Sequence, residues 1–288
     1  MELRVLNYFL TVAREENITK AAQLLHVTQP TLSRQLMQLE EELGVQLFHR
    51  GKHSVTLTED GMLLRRRAQE ITSLSDKTIA EFKNKEEVTS GEILIGCGET
   101  RSMSILSDNI KKFREIYPLV QFHIYSATAD DIKERLEKGL LDIGLLTEPV
   151  DISKYEFVRM PYKERWGVLV NSESQLYEKE NVSPAELADI PLIMVQRNSV
   201  KNELASWFGD IYEQLDVAAT YNLILNAASM VKEDVGTAVC FDLGMKYEDL
   251  RFVPFAPKLE TGSVLVWKKN QAHSDTLRLF LQYLRNAL

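Results

Sequence analysis

The stretch Ile18–Arg50, ITKAAQLLHVTQPTLSRQLMQLEEELGVQLFHR, predicts two helices separated by a tight turn. Apolar side chains recur at helical spacing in the first helix, at Ala21, Ala22, Leu24 and Leu25. The two alanines are small enough to let a second helix approach closely at a steep angle. Helix pairs of this kind form the helix-turn-helix, so this stretch sets the fold class of the N-terminal part.

The second helix is predicted to begin at Thr28, a favoured N-cap residue, with Pro30 in its first turn. Its buried stripe is expected at Leu32, Leu36 and Leu39, and its polar face at Gln29, Thr31, Ser33, Arg34 and Gln38. In a helix-turn-helix the second helix enters the major groove of DNA, where Gln pairs with adenine and Arg with guanine. An ordinary surface helix of a helical bundle is the alternative interpretation of this pattern alone.

A short β-ribbon is predicted directly after this helix pair. The run HRGKHSVTLT places Arg50, Lys52 and His53 around Gly51, and apolar residues alternate after them. A ribbon with a basic tip, or wing, is suited to contacts with phosphates or with the minor groove.

The run AAQLLHVTQPTLSRQLMQLEEELGVQLFHRGKHSVTLTEDG resembles the N-terminal winged helix-turn-helix of LysR-type transcriptional regulators. The resemblance covers the chain in length and layout, although the second half matches more loosely. It implies binding to double-stranded promoter DNA, with base contacts expected first from Gln29 and Arg34. The positions that match the family's DNA-contacting residues are Thr28, Gln29, Pro30, Thr31, Ser33 and Arg34 on the helix, and Arg50, Lys52 and His53 on the wing.

A long helix is expected after the wing, capped by Thr58 and running to about Glu87. Its seam residues are spaced as in a coiled coil: Leu64, Ala68, Ile71, Ser75, Thr78 and Phe82. In LysR-type proteins the equivalent helix pairs two subunits, so the resemblance implies a homodimer or homotetramer. We therefore divide the chain into a DNA-binding domain (1–58), a linker helix (59–89) and an effector-binding domain (90–288).

Strands and helices alternate from residue 90 onward, which is typical of two α/β lobes with parallel sheets. The segment FVRMPYKERWGVLV is interpreted as a crossover, with lobe I at about 90–162 and 266–288 and lobe II at about 163–265. The fold class is therefore α/β: a winged helix-turn-helix, a linker helix and a two-lobed domain resembling periplasmic binding proteins.

Ligands in open α/β sheets bind beyond the carboxyl ends of strands, near helix N-termini. In LysR-type proteins the corresponding loops line the cleft that binds the effector. The expected effector-binding residues are Gly98, Glu99, Thr100, Arg101 and Ser102, then Thr147, then Gln196, Arg197, Asn198 and Ser199, and finally Tyr221, Asn222 and Asn226. The hydroxyls among them serve equally well as helix caps.

The charged residues of these loops suggest a ligand class. Arg101 and Arg197 could hold a carboxylate between them, which favours a small carboxylate as the effector. Glu99 leaves two alternatives open, because it could pair with Arg101 or receive the amino group of an amino-acid-like effector.

Charge and composition limit the mode of binding. The 288 residues carry a net charge of -8, but residues 1–57 are balanced, with six basic and six acidic side chains. A neutral DNA-binding part needs several copies on one site for useful affinity. No apolar run reaches the length of a membrane span and no signal-peptide pattern is present, so we expect a cytoplasmic protein without membrane contact.

Enzymatic, metal and cofactor motifs are missing from the sequence. It contains no Walker loop, no G-x-S-x-G and no H-E-x-x-H, and its five histidines show no metal-ligand spacing. Cys97 and Cys240 could form a redox sensor, but cysteines at the ends of buried strands are usually inert. Two alternatives to a ligand-responsive regulator remain, namely an architectural DNA binder without an effector and a small-molecule carrier of the solute-binding type.

Overall fold

The computed structural model describes residues 1–51, 55–83, 90–196, 198–244, 249–269, 271 and 273–288. For residues 50, 80–83, 198 and 199 only the backbone is described. The chain forms two compact units, Met1–Lys83 and Asn84–Leu288, and each is described by itself. None of the described helices is long and apolar enough to cross a membrane.

Four helices and a two-stranded ribbon form the N-terminal unit. They are α1 (Leu3–Glu15), α2 (Ile18–Leu24), α3 (Gln29–Leu43), β1 (Phe48–Arg50), β2 (Val55–Leu57) and α4 (Glu59–Lys83). The predicted stripe of α3 is confirmed, since Leu32, Leu36 and Leu39 are buried against α1 and the alanines of α2. Leu24 is predicted on the apolar face of α2, together with the two alanines, but it is 52% exposed. The seven-residue α2 ends at Leu24, and only Ala21 and Ala22 are buried.

The turn between α2 and α3 is made by His26, whose φ of 54° lies in the left-handed region. Thr28 occupies the N-cap position of α3 with extended backbone, as predicted. Its side chain does not cap the helix, because its hydroxyl is bonded to the hydroxyl of Thr31 at 2.8 Å. Pro30 lies in the first turn, where its missing N–H leaves no bond unmade.

The predicted ribbon is present, with β1 and β2 antiparallel and Phe48 opposite Leu57. Thr58 caps α4 as expected, since its hydroxyl accepts the N–H of Gly61 at 2.9 Å. Along the predicted seam Ala68 is buried within the unit, whereas Ile71 is exposed in the single chain. The expected end of the helix near Glu87 lies outside the described residues.

Lobe I is a five-stranded sheet in the order β4-β3-β5-β13-β6, with three helices. Its elements are β3 (Ser90–Cys97), α5 (Ser102–Ile116), β4 (Leu119–Ser126), α6 (Ala129–Glu137), β5 (Ile143–Thr147), β6 (Tyr155–Arg159), β13 (Ser263–Lys268) and α9 (Asp275–Ala287). The strands β4, β3 and β5 are parallel, and β13 is antiparallel to its neighbours. Phe113, Trp267 and Phe280 are among its fully buried core side chains.

Lobe II is a six-stranded sheet in the order β11-β7-β10-β8-β9, with β12 also paired to β7. Its elements are β7 (Glu164–Asn171), β8 (Leu192–Val195), α7 (Asn198–Phe208), β9 (Val217–Tyr221), α8 (Ile224–Lys232), β10 (Thr237–Phe241), β11 (Leu250–Pro254) and β12 (Glu260–Thr261), with short 3-10 helices at Pro184–Leu187 and Gly209–Gln214. Here β10, β8 and β9 are parallel and β7 is antiparallel to β10.

The segment interpreted as a crossover contains the passage between the lobes, with a strand on either side of it. Its two ends form β6 and β7, and only residues 160–163 pass between the lobes. The chain returns at Gly262, between β12 and β13. Five consecutive residues of β7, Trp166–Val170, are buried, as expected for a strand inside a sheet.

Glu164 ties both crossings to the start of α5. Its side chain is fully buried, and its carboxylate accepts the N–H groups of Arg101 at 2.9 Å and Ser102 at 3.0 Å. The hydroxyl of Ser102 donates to it as well, and that of Ser263 donates at 3.3 Å. A carboxylate at this place satisfies the free N–H groups of the first turn and interacts favourably with the helix dipole.

We expect Gly61→Ala to destabilise the N-terminal unit. Alanine normally stabilises a helix by about 1 kcal/mol relative to glycine, but the added Cβ would lie 2.1 Å from the carbonyl oxygen of Leu47. Urea unfolding should show a loss of more than about 1 kcal/mol. The neighbouring control Met62→Ala changes an exposed side chain and should stay within about 0.5 kcal/mol. A Gly61→Ala protein as stable as wild type would contradict this packing.

We expect Glu164→Ala to lower the free energy of unfolding by about 3–5 kcal/mol, because it leaves four buried donors without an acceptor. Chemical denaturation measures the loss. The control Glu173→Ala removes an exposed carboxylate and should cost little. Equal stability of the two variants would show that Glu164 does not hold the crossings.

Candidate nucleic-acid interface and ligand cavity

The N-terminal half of α3 presents a continuous polar surface. Gln29, Pro30 and Arg34 are exposed, whereas Thr31 and Ser33 are partly buried. Pro30 and Arg34 are four residues apart, which places them on one face of the helix. The guanidinium of Arg34 makes no ion pair within the described part of the chain, so it is available to a partner.

The acidic side chains of α3, Glu40, Glu41 and Glu42, lie at its opposite end, and two of them are bonded there. Glu40 accepts the N–H of Leu47 at 2.8 Å, and Glu42 pairs with the N-terminal amino group of Met1. The first ten residues of α3 contain no carboxylate, so a DNA backbone approaching that end meets no repulsion from this helix.

The wing residues can be located only in part. Arg50 ends β1, and its side chain is not described. Lys52 and His53 lie outside the described residues. Their contribution to DNA binding therefore remains a prediction.

A cavity of about 90 Å³ lies between the two lobes. Residues at the carboxyl ends of all six parallel strands line it, from β3, β4 and β5 on one side and from β8, β9 and β10 on the other. Such a volume holds several water molecules or one small polar ligand. The rule that ligands bind beyond the carboxyl ends of parallel strands therefore applies to both sheets.

Seven of the predicted effector-binding residues line this cavity: Gly98, Glu99, Thr100, Thr147, Gln196, Tyr221 and Asn222. Three further residues line the cavity without having been predicted, namely Thr128 after β4 and Cys240 and Phe241 at the end of β10. The strand-end rule would have found all three, had it been applied to every strand. Trp166 also lines the cavity from within β7, and no local pattern indicates that.

Three other predicted residues do not line it. The guanidinium of Arg101 lies 3.7 Å from the carboxylate of Asp242 and over the ring of Tyr162. The side chain of Ser102 is buried against Glu164, and that of Asn226 is exposed. The placements of Arg101 and Ser102 depend on partners distant in the sequence. Arg197 lies outside the described residues, and only the backbone of Asn198 and Ser199 is described.

Thr100 has an unusual environment for a hydroxyl group. The residue is only 8% exposed, yet its Oγ1 has no hydrogen-bond partner among the residues that the structure describes. Burying an unpaired hydroxyl costs about 1–3 kcal/mol. The group lines the cavity and is therefore available to a ligand.

Glu99 joins the two lobes across the cavity. Its carboxylate accepts the N–H of Ile224, the first residue of α8, although α8 has no side-chain cap of its own. The alternative in which Glu99 pairs with Arg101 is not observed, since Arg101 pairs with Asp242. Glu99 is the sole charged side chain among the described residues that line the cavity.

Both cysteines are buried and free. Burial raises the pKa of the Cys97 thiol, and the nearby charge of Glu99 raises it further. Burial also raises the pKa of Cys240, with a smaller contribution from Asp242. Both side chains therefore stay as thiols at neutral pH, which is unfavourable for a thiolate switch. No group of three or more potential metal ligands occurs in the described ranges.

Two family models match this chain. "Bacterial regulatory helix-turn-helix protein, lysR family" matches residues 3–62, and "LysR substrate binding domain" matches residues 86–288. The "HTH-type transcriptional regulator BsdA" of Bacillus subtilis (strain 168) is 32% identical over 198 residues, which is 68% of this chain and 67% of that protein.

Solved structures show the same fold. The crystal structure of CbnR, a LysR family transcriptional regulator, matches with a TM-score of 0.80 at 22% identity and covers 100% of this chain and 99% of that chain. Full-length CbnR complexed with its target DNA matches with a TM-score of 0.77 at 21% identity over the full length of both chains. From its helix-turn-helix and substrate-binding domains, the chain belongs to the LysR family of transcriptional regulators.

Proposed function

We propose that this regulator reads promoter DNA with the N-terminal half of α3 and responds to a small-molecule effector in the inter-lobe cavity. The observation that carries the DNA-binding assignment is the exposed polar face of α3, with the unpaired Arg34 at its centre. Gln29 and Arg34 make the base contacts, and Thr28, Pro30, Thr31 and Ser33 position the helix.

The charge of the N-terminal residues supports binding by an oligomer. Six basic and six acidic side chains leave residues 1–57 neutral, so a single copy gains little from phosphate attraction. A homodimer or homotetramer places several α3 helices on one promoter and multiplies a modest affinity. In the solved complex it is CbnR that is bound to its target DNA, and that protein shares the fold of this chain.

Each of the three proposed domains has its own role. Residues 1–58 bind DNA, 59–89 link subunits and 90–288 bind the effector. The effector contacts residues from both lobes, so its binding changes their relation and thereby the arrangement of subunits on DNA. Double-stranded promoter DNA as the partner makes the cytoplasm the expected location.

Two alternative functions fit the observations less well. An architectural DNA binder needs no effector, but the open cavity with the unpaired hydroxyl of Thr100 favours a ligand. A solute carrier needs no DNA-binding part, but the helix-turn-helix family model matches residues 3–62.

We expect Arg34→Ala to weaken binding to a duplex that wild type selects from a random pool. Loss of a base contact costs about 1–3 kcal/mol, so affinity should fall about tenfold or more at physiological salt. Fluorescence anisotropy measures it.

Arg278→Ala is the matched control, because it removes the same charge from an exposed side chain of α9. It should bind the duplex as wild type does. Equal affinities of Arg34→Ala and Arg278→Ala would contradict the assignment of α3.

We expect Thr100→Val to stabilise the ligand-free protein by about 1 kcal/mol, because the substitution keeps the shape and removes an unpaired buried hydroxyl. Thermal unfolding without added ligand measures the change. Thr276→Val is the control: its hydroxyl donates to the carbonyl oxygen of Ser90 at 2.7 Å, so this substitution should destabilise. A lower melting temperature for Thr100→Val would show that its hydroxyl is satisfied in the folded protein.

A further inference from the structure

We infer that the effector is a small cation, a molecule with a protonated amine or an equivalent charged N–H donor, held by Glu99 and Thr100. This inference rests on the proposed function, since it names the ligand class of the inter-lobe cavity. It replaces the small carboxylate that the sequence favours.

The charge of the cavity lining is the first argument. Among the lining residues that the structure describes, Glu99 carries the charge and the other polar groups are neutral. A ligand carboxylate would enter beside a negative group in a partly enclosed site, where repulsion is weakly screened. A protonated amine would be attracted by the same group.

The helix N-termini at the cavity also disfavour an anionic ligand. They would normally attract an anion, but side chains of this chain already occupy those whose first turn is fully described. Glu164 serves α5, Thr128 accepts the N–H of Asp131 in α6, and Glu99 serves α8. Each of these three N-termini therefore already has an acceptor from within the chain.

The arginines that the structure describes near the cavity, Arg101 and Arg165, do not reverse this balance. Asp242 lies 2.7 Å from a guanidinium nitrogen of Arg165 and 3.7 Å from one of Arg101. Neither arginine lines the cavity. Arg101, one of the two arginines that the sequence assigned to a ligand carboxylate, is therefore used in an ion pair between the lobes.

The acceptors that remain free fit an amine. Only Oε2 of Glu99 is hydrogen-bonded within the described ranges, so its second oxygen is open to a donor. The buried hydroxyl of Thr100, one residue away, supplies a second acceptor. Trp166 and Phe241, whose ring centroids lie 4.1 Å apart, supply aromatic surface of the kind that attracts cations.

Such a ligand would connect the lobes. Glu99 and Thr100 follow β3 of lobe I, whereas Trp166 and Phe241 belong to β7 and β10 of lobe II. A cation that contacts both pairs adds to the existing link between Glu99 and α8. Glu99 is therefore both a tie between the lobes and the residue that sets ligand charge.

The test compares three probes of similar size: ethanolamine, glycolate and ethylene glycol. Ligand-observed saturation-transfer NMR and thermal shift are recorded on the full-length protein at constant ionic strength. We expect ethanolamine to bind and the other two to bind at least about tenfold more weakly, as an ion pair in a partly buried site requires.

Glu99→Gln should abolish the preference for ethanolamine, because the amide keeps an acceptor for Ile224 and loses the charge. The matched control Glu134→Gln removes an exposed carboxylate of α6 and should leave the preference unchanged.

Thr100→Val provides a second variant that does not alter charge and should fold in any case. It should weaken the binding of ethanolamine by severalfold and raise the melting temperature of the ligand-free protein. Binding of glycolate in preference to ethanolamine, strengthened by Glu99→Gln, would overturn the cationic class but uphold an effector in this cavity. Failure of all three probes to bind would overturn the inference and the proposed role of the cavity together, leaving DNA binding by α3 to stand on its own test.

Discussion

Helices that begin inside a protein bring N–H groups that need an acceptor, and this requirement organises the C-terminal unit. Parallel strands of both sheets end at one cavity, so the helices after them begin there as well. The carboxylate of Glu164, at the start of β7, accepts N–H groups at the N-terminus of α5. The carboxylate of Glu99, in the opposite lobe, accepts the first N–H of α8. These two carboxylates accept hydrogen bonds from helix N-termini and also connect the two lobes. Both the fold and the cavity therefore depend on hydrogen bonds between a carboxylate and a helix N-terminus.

In the N-terminal unit, α3 has a buried face that packs into the core and an exposed polar face that we propose for DNA binding. Leu32, Leu36 and Leu39 bury one face of α3. Its acidic end is bonded within the unit through Glu40 and Glu42. In the polar first half of the helix, the guanidinium of Arg34 has no ion-pair partner within the described part of the chain. A neutral unit with a few placed side chains depends on shape and direct contacts more than on long-range attraction.

Local patterns in the sequence predict most of the fold. Apolar spacing locates α3 and its stripe, and alternating strands and helices identify both α/β lobes. Four strands are not predicted, namely β6, β7, β11 and β12. The first two lie at the ends of the segment interpreted as a crossover, and the last two are short antiparallel additions beside β7. The cavity is predicted by the rule of strand ends, which places Thr100 and Gln196 correctly. Roles set by distant partners are not predicted: Ser102 meets Glu164 62 residues later, and Arg101 turns to Asp242 instead of the cavity.

If this regulator responds to an effector in the cavity, occupation of the cavity changes its affinity for DNA. The direct measurement is the affinity of the full-length protein for its selected duplex, with and without saturating ethanolamine at constant ionic strength. Coupling between two sites is typically about 1–3 kcal/mol, so we expect the DNA affinity to change by at least about fivefold in either direction. The change should vanish in Glu99→Gln. Unchanged DNA affinity, while ethanolamine demonstrably occupies the cavity, would contradict the account.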